Sequence, residues 1–205
     1  MAEAFVHGVL LAFGLILPLG VQNVFIFNQG AIQPRFIRVI PVIITAALCD
    51  TMLISLAVGG VSLLILQWMW LKSLLYVAGF FFLLYMGWSL WKAEVSTDHS
   101  EHGQLSIKRQ VLFALSVSLL NPHALMDTIG VIGTNSLQYI GTDKWAFIGA
   151  TIGISWLWFF GLAIAGRILR TLDNSGRLMR GLNKISALTI WLIAVYMGMS
   201  MITSL

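Results

Sequence analysis

Two aspartates lie in apolar sequence that offers them no counter-ion. Asp50 sits in AALCDTMLIS and Asp127 closes LNPHALMD, each inside a long hydrophobic run. A carboxylate at the centre of a membrane helix costs about 2.5–3.5 kcal/mol on insertion scales, and such residues usually mark an ion or substrate path. No Lys or Arg lies in the interior of any apolar run to pair with either one. The chemistry left open is reversible binding of a positive charge, whether a proton, a metal ion or a cationic substrate. The competing reading is structural: a protonated Asp hydrogen-bonded to a neighbouring carbonyl. Two acids and one histidine are fewer donors than a metal centre usually needs. His123, four positions before Asp127, is one helical turn away and could exchange a proton with it. Alone, it reads as a helix-start residue.

The second feature is a proline inside each of two apolar runs. ILPLGVQN spans Ile16 to Asn23, and NPHALMD spans Asn121 to Asp127. Aligning Pro18 with Pro122, an offset of 104, brings Asn23 onto Asp127. Proline removes a backbone donor and clashes with the preceding turn. Carbonyls near Gly14 and Ser118 therefore lose their usual partners, at a cost of several kcal/mol each in hydrocarbon unless something satisfies them. A helix restarting after Pro18-Gly20 or after Pro122 would present free amides and a positive dipole end suited to a carboxylate. A packing kink is the simpler alternative for one proline. Two at matched positions, each with polar neighbours, favour a binding site built from Gln22, Asn23, Asn121, His123 and the two aspartates.

These residues need a membrane scaffold to hold them. Of the 205 residues 59% are hydrophobic and only 10% charged, against roughly a quarter charged in soluble domains. A span takes about 20 apolar residues. Six segments qualify: 4–27, 36–66, 71–91, 111–133, 145–166 and 185–202. The second is longer than needed, and Gly59-Gly60 offers an early end. The first carries Glu3 rather than a basic flank and is too long for a signal peptide, so it is expected to be a span. The polar segment 92–109 divides the chain into three-helix units, 1–91 and 110–205. Three spans per unit force opposite orientations, the inverted-repeat pattern of many secondary transporters. The expected fold is thus an all-α integral membrane protein of six helices in two inverted repeats, with the first helix of each broken or kinked. Of the 12 Lys and Arg, all but Lys72 and Lys144 fall in odd-numbered loops. The positive-inside rule puts those loops in the cytoplasm of a cell-membrane protein and both termini outside. The Arg-rich fifth loop could also meet anionic lipid.

Other features point elsewhere only weakly. The single cysteine, Cys49, allows no intrachain disulfide or zinc framework. His99, Glu101 and His102 could hold a metal, but a solvated hairpin is the plainer reading. Trp156, Trp158 and Trp191 read as packing residues. Gly149-x3-Gly153 permits close helix contact within the chain or with a second copy, as in a homo-oligomer. No phosphate-binding loop appears, so ATP hydrolysis is not expected. No cofactor motif, nucleophile–base pair or nucleic-acid patch stands out, so the chain reads as a transporter rather than an enzyme.

LPLGVQN and NPHALMD resemble the two signature stretches of the LysE-type basic amino-acid exporters, the lysine/arginine exporter family. The six apolar segments, the basic fifth loop and Asp50 in the second span agree, so the resemblance covers essentially the whole chain. NPH followed by Asp is its more telling part, since related exporters of neutral amino acids lack that His and Asp as a family pattern. Val21 stands where the family often has a second proline. The resemblance implies efflux of arginine or lysine, with Asp50 and Asp127 receiving the positive groups. Moving a net positive charge out of an inside-negative cell costs about 2.3 kcal/mol per 100 mV, so proton antiport is the expected driver. Export of a neutral amino acid or another small cation on the same scaffold is the alternative.

Overall fold

A computed structural model describes residues 1–17, 20–60, 106–121, 124–125 and 127–172, with scattered positions over 77–92 and 180–199. Among the described residues there are helices and turns and no strand. The expected spans over 71–91 and 185–202 lie largely outside the described residues. So do most of the connecting segment, with His99, Glu101 and His102, and the sites Pro18, Pro122 and His123.

The first apolar run is two helices rather than one. Helix α1 (Ala2–Ile16) and helix α2 (Val21–Ile32) meet at a bend of 81°. Helix α3 (Ile40–Val58) follows a short 3-10 turn, Phe36–Arg38, and accepts Pro41 in its first turn, where the missing amide is harmless. It stops at Gly59-Gly60, earlier than the apolar pattern alone requires. Gly60 has φ +81°, a left-handed conformation that disfavours any side chain. Helix α4 (Ile107–Leu120) is capped by Ser106, whose hydroxyl accepts from the Arg109 amide. It ends 104 residues after the end of α1, the same offset that aligns the two prolines. A π-helical segment, Asp127–Gly133, then leads into a helical turn at Thr134–Ser136. Helix α5 (Gly141–Leu172) closes the described core and runs beyond the 145–166 expected for it.

Phe36–Val58 and Gly141–Thr171 are each long and apolar enough to cross a bilayer, and α1 with α2 meets that test as a bent pair. Leu48 on α3 and Leu157 on α5 are 54% and 71% exposed. Such outward faces suit lipid rather than water. The hydroxyl side chains of α3 bond within the helix. Thr45, Thr51 and Ser55 donate to the carbonyls of Pro41, Ala47 and Thr51, each at 2.7 Å. This back-bonding lets a hydroxyl sit in an apolar environment.

Helix α5 runs along both halves of the broken first span and along α3. Its approach to α2 is glycine-limited: Gly30 faces the Ala163 backbone and Gly166 faces the Phe27 carbonyl. Gly8 on α1 lies similarly against Phe147. At Gly149 and Gly153, whose spacing permits close contact within the chain or with a second copy, an added Cβ would meet nothing within 4 Å among the described residues. At the far end, Arg167 donates to the carbonyls of Gln33 and Pro34, and Arg170 to those of Ile32 and Gln33, at 3.1–3.4 Å. Guanidinium groups thus cap the C-terminal carbonyls of α2, where the helix dipole favours them. These two arginines therefore join α5 to α2 besides adding to the basic loop.

Among the described residues, buried apolar side chains form three clusters. One joins α2, α3, α4 and α5 through Phe25, Val42, Ala114 and Phe159. A second packs Val21 and Val117 against Leu83 and Ile190. The third holds Ala4, Ile54, Ile132 and Phe147 together towards the N-terminal end of α1. There His7 bonds the Tyr139 hydroxyl at 2.8 Å, the chain amino terminus meets Asp143 at 2.5 Å, and Lys144 donates to the Val58 carbonyl.

Candidate functional site

Between these clusters lies a cavity of about 180 Å3. Its polar lining comes from four places in the fold. The start of α2 supplies Gly20, Gln22 and Asn23, and α3 supplies Asp50. Asn121, Asp127 and Thr128 come from the second broken run, and Thr151 and Ser155 from α5. Leu15, Ile54, Leu83, Ile132 and Phe159 complete the wall with apolar surface.

The break in the first span is satisfied locally. The Asn23 side-chain amide donates to the carbonyl of Ile16, the last residue of α1, at 2.8 Å. A carbonyl orphaned by the break therefore finds a partner from the next helix, as a membrane interior requires. Asn23, expected as a substrate contact, thus also ties the broken ends together. Replacing it with leucine, of similar size, leaves that carbonyl without this donor, a loss of about 1–3 kcal/mol. A lowered melting temperature of the detergent-purified Asn23→Leu protein checks this, and an unchanged one excludes the tie.

Gly20 caps α2 with extended backbone (φ −69°, ψ 172°) and no side-chain hydrogen bond. The first turn of a 12-residue helix thus opens on the cavity, with Gln22 and Asn23 in it. Gln22 Nε2 donates to Asp50 Oδ1 at 3.4 Å, linking the break to the acid on α3. Ser155 approaches the same carboxylate from α5. The Trp156 indole, one residue on, donates to Thr51 Oγ1 at 3.1 Å and so fixes α5 beside Asp50. Asp127 opens the π-helical segment. Its wide turns run Asp127, Thr128 and Ile132 along the wall, a geometry often found at functional sites.

Asp50 and Asp127, 77 positions apart in sequence, therefore line one cavity with Gln22, Asn23 and Asn121. Thr128, Thr151 and Ser155 are wall residues that the sequence motifs do not single out. Thr151 and Ser155 are the only hydroxyl side chains in the apolar run 145–166, and they stand four apart on one helical face. That spacing is the signal the sequence offers for them. Among the described residues no cluster of three His, Cys, Asp or Glu could hold a metal ion.

The family model of the LysE type translocators matches residues 13–201. The chain belongs to that family. A LysE-type translocator is a membrane transporter, not an enzyme. Similar proteins agree. The chain is 54% identical over 199 residues to "Putative amino-acid transporter YisU" of Bacillus subtilis (strain 168), covering 97% of this chain and 90% of that protein. It is 35% identical over 199 residues to "Arginine exporter protein ArgO" of Salmonella paratyphi B and of Salmonella typhi, covering 95% of this chain and 92% of each. No solved structure matches it. This LysE-type chain is thus an amino-acid transporter with apolar helices, and its candidate site is the cavity between them.

Proposed function

We propose that this LysE-type translocator exports a basic amino acid, arginine or lysine, from the cytoplasm by proton antiport. The observation that carries the proposal is the pair of carboxylates on one cavity. The side-chain cation and α-ammonium of the substrate bind at Asp50 and Asp127. Its carboxylate lies at the first turn of α2 and near Asn121, where amides and the helix dipole favour an anion. Gln22 steadies Asp50, and His123 is proposed as a proton partner of Asp127. The similarity to proteins named arginine exporters favours arginine. The matched ends of α1 and α4 favour two inverted three-helix repeats, with the basic loops cytoplasmic and both termini outside.

Antiport follows from charge balance. A carboxylate in a water-poor cavity holds either a proton or a cation far better than it stands bare. Cationic substrate arriving from inside displaces a proton inward, and a proton entering from outside releases the substrate there. In proteoliposomes loaded with arginine, efflux at fixed membrane potential should accelerate as the external side is acidified. An efflux rate indifferent to the pH gradient would falsify the coupling, and absence of arginine and lysine efflux would remove the substrate assignment.

A further inference from the structure

An amino acid carries its ammonium and its carboxylate on one carbon. The acid that holds the ammonium must therefore stand beside whatever holds the carboxylate. The order of contacts along α3 tells the two aspartates apart in this respect. Before Asp50, α3 packs against α2: Phe25 and Ile26 cluster with Val42, Ile43 and Ala46. At Asp50 the first turn of α2 arrives, with Gln22 Nε2 at 3.4 Å from Oδ1. Beyond Asp50, α3 meets the π-helical segment instead. Ile132 clusters with Ile54 and Val58, and Gly133 lies close against the Ala57 carbonyl. Asp50 thus stands between the start of α2 and the segment that Asp127 opens. Both acids line the cavity, and Gln22 and Gly20 line it beside Asp50.

The setting of Asp50 is also fixed from two sides. It accepts from Gln22 on α2, and Ser155 approaches it from α5. The next pair along, the Trp156 indole and Thr51 Oγ1 at 3.1 Å, ties α5 to α3 at the same level. A carboxylate held between helices in this way is pre-organised, which suits the part of the substrate that is the same in every amino acid. We infer that Asp50 binds the α-ammonium, with the α-carboxylate at the first turn of α2, and that Asp127 reads the side chain and sets the preference for a basic one. This assignment rests on the reading above that the cavity holds a basic amino acid, and it gives the two acids different tasks. Every amino acid needs Asp50. A neutral side chain leaves the Asp127 carboxylate without its charge partner, which is how a site rejects a substrate of the right shape.

The test measures binding of arginine and two analogues to the detergent-purified protein. Citrulline replaces the guanidinium by a neutral ureido group of the same shape. The other analogue, δ-guanidinovalerate, lacks the α-ammonium. Each should bind the parent at least about thirty-fold more weakly than arginine, since each leaves one carboxylate unpaired. In Asp127→Asn the citrulline penalty should vanish while the guanidinovalerate penalty persists, and in Asp50→Asn the pattern should reverse. The opposite pairing, or penalties that change alike in the two variants, overturns the orientation. A parent that binds citrulline as well as arginine would instead sink the basic-substrate reading, and parental arginine binding in both variants would sink the cavity as its site. Asp127→Glu and Asp50→Glu keep the charge and cover the case in which a neutral variant misfolds or binds too weakly to rank. Glutamate reaches one methylene further, so Asp127→Glu should shift preference from lysine towards ornithine, one methylene shorter, by about ten-fold. Asp50→Glu should leave the lysine-to-ornithine ratio unchanged. A ratio moved by Asp50→Glu alone, or by neither variant, overturns the orientation as well.

Discussion

Asp50→Asn and Asp127→Asn are each expected to abolish arginine export while leaving the protein folded in the membrane. Asparagine keeps the shape and loses the charge, so the cavity retains its volume and the Gln22 contact retains an oxygen acceptor at position 50. What disappears is the attraction for a cation at a partly buried carboxylate on the cavity wall. Removing one partner of a buried charge pair costs about 2–5 kcal/mol, which lowers binding by roughly thirty-fold to several thousand-fold. Each single variant removes one of the two carboxylates from the empty cavity wall, so thermal stability should be equal to or above that of the parent. The double variant should be no worse than either single one, because residues acting on one ligand are non-additive. Export assays combined with melting temperatures check this. Transport retained by both single variants would make the acids structural and leave the shared cavity without a function.

The residues alone suggest a common cavity for the two acids without dictating one. The prolines at 18 and 122 and the missing counter-ions are visible in the sequence itself, and the first apolar run does divide beside its proline. The angle of the division is not visible there. It depends on α2 lying along α5, a contact between residues more than 130 positions apart, Gly30 with Ala163 and Gly166 with Phe27. The end of α3 at Gly59-Gly60 is legible because a positive φ asks for glycine. The π-helical segment after Asp127 is not, since its seven residues, DTIGVIG, carry the same apolar character as an α-helical run. The hydroxyl wall of Thr151 and Ser155 is hidden for a related reason. A hydroxyl in a membrane helix normally bonds its own backbone, as Thr151 does to the Ile148 carbonyl at 2.9 Å. Only the packing of α5 against α3 brings that face to the cavity. The arginines at 167 and 170 carry two messages, and hydropathy conveys one. Their charge marks a membrane side, while their hydrogen bonds hold the end of α2.

The crossing of α2 and α5 is where a single methyl group should do the most structural harm. A Cβ on Gly30 would collide with the carbonyl oxygen of Ala163 and approach its carbonyl carbon to 2.8 Å; one on Gly166 would collide with the Phe27 carbonyl and meet the Ala31 nitrogen at 3.2 Å. The obstacles are backbone atoms, which have no rotamer to change, so the helices themselves must separate. Overpacking of this kind typically costs about 1–3 kcal/mol, and a helix pair held by close backbone approach has little else to replace the lost contact in lipid. Gly30→Ala and Gly166→Ala should therefore lower the melting temperature of the purified protein by several degrees, about 2–4 °C per kcal/mol for a chain of this size. Gly14→Ala and Gly161→Ala, where an added Cβ meets nothing within 4 Å among the described residues, should hold it or raise it, since alanine favours a helix over glycine. Transport should fall with stability at the first pair, because α2 carries Gln22 and Asn23 on its opening turn and α5 carries Ser155 opposite. Separating the two helices widens the cavity and draws Gln22 away from Asp50. A Gly30→Ala protein that melts and exports like the parent would mean that the close backbone approach of α2 to α5 does not hold the first turn of α2 at the cavity, and the two helices would then be joined there by other contacts, among them the Arg167 and Arg170 caps.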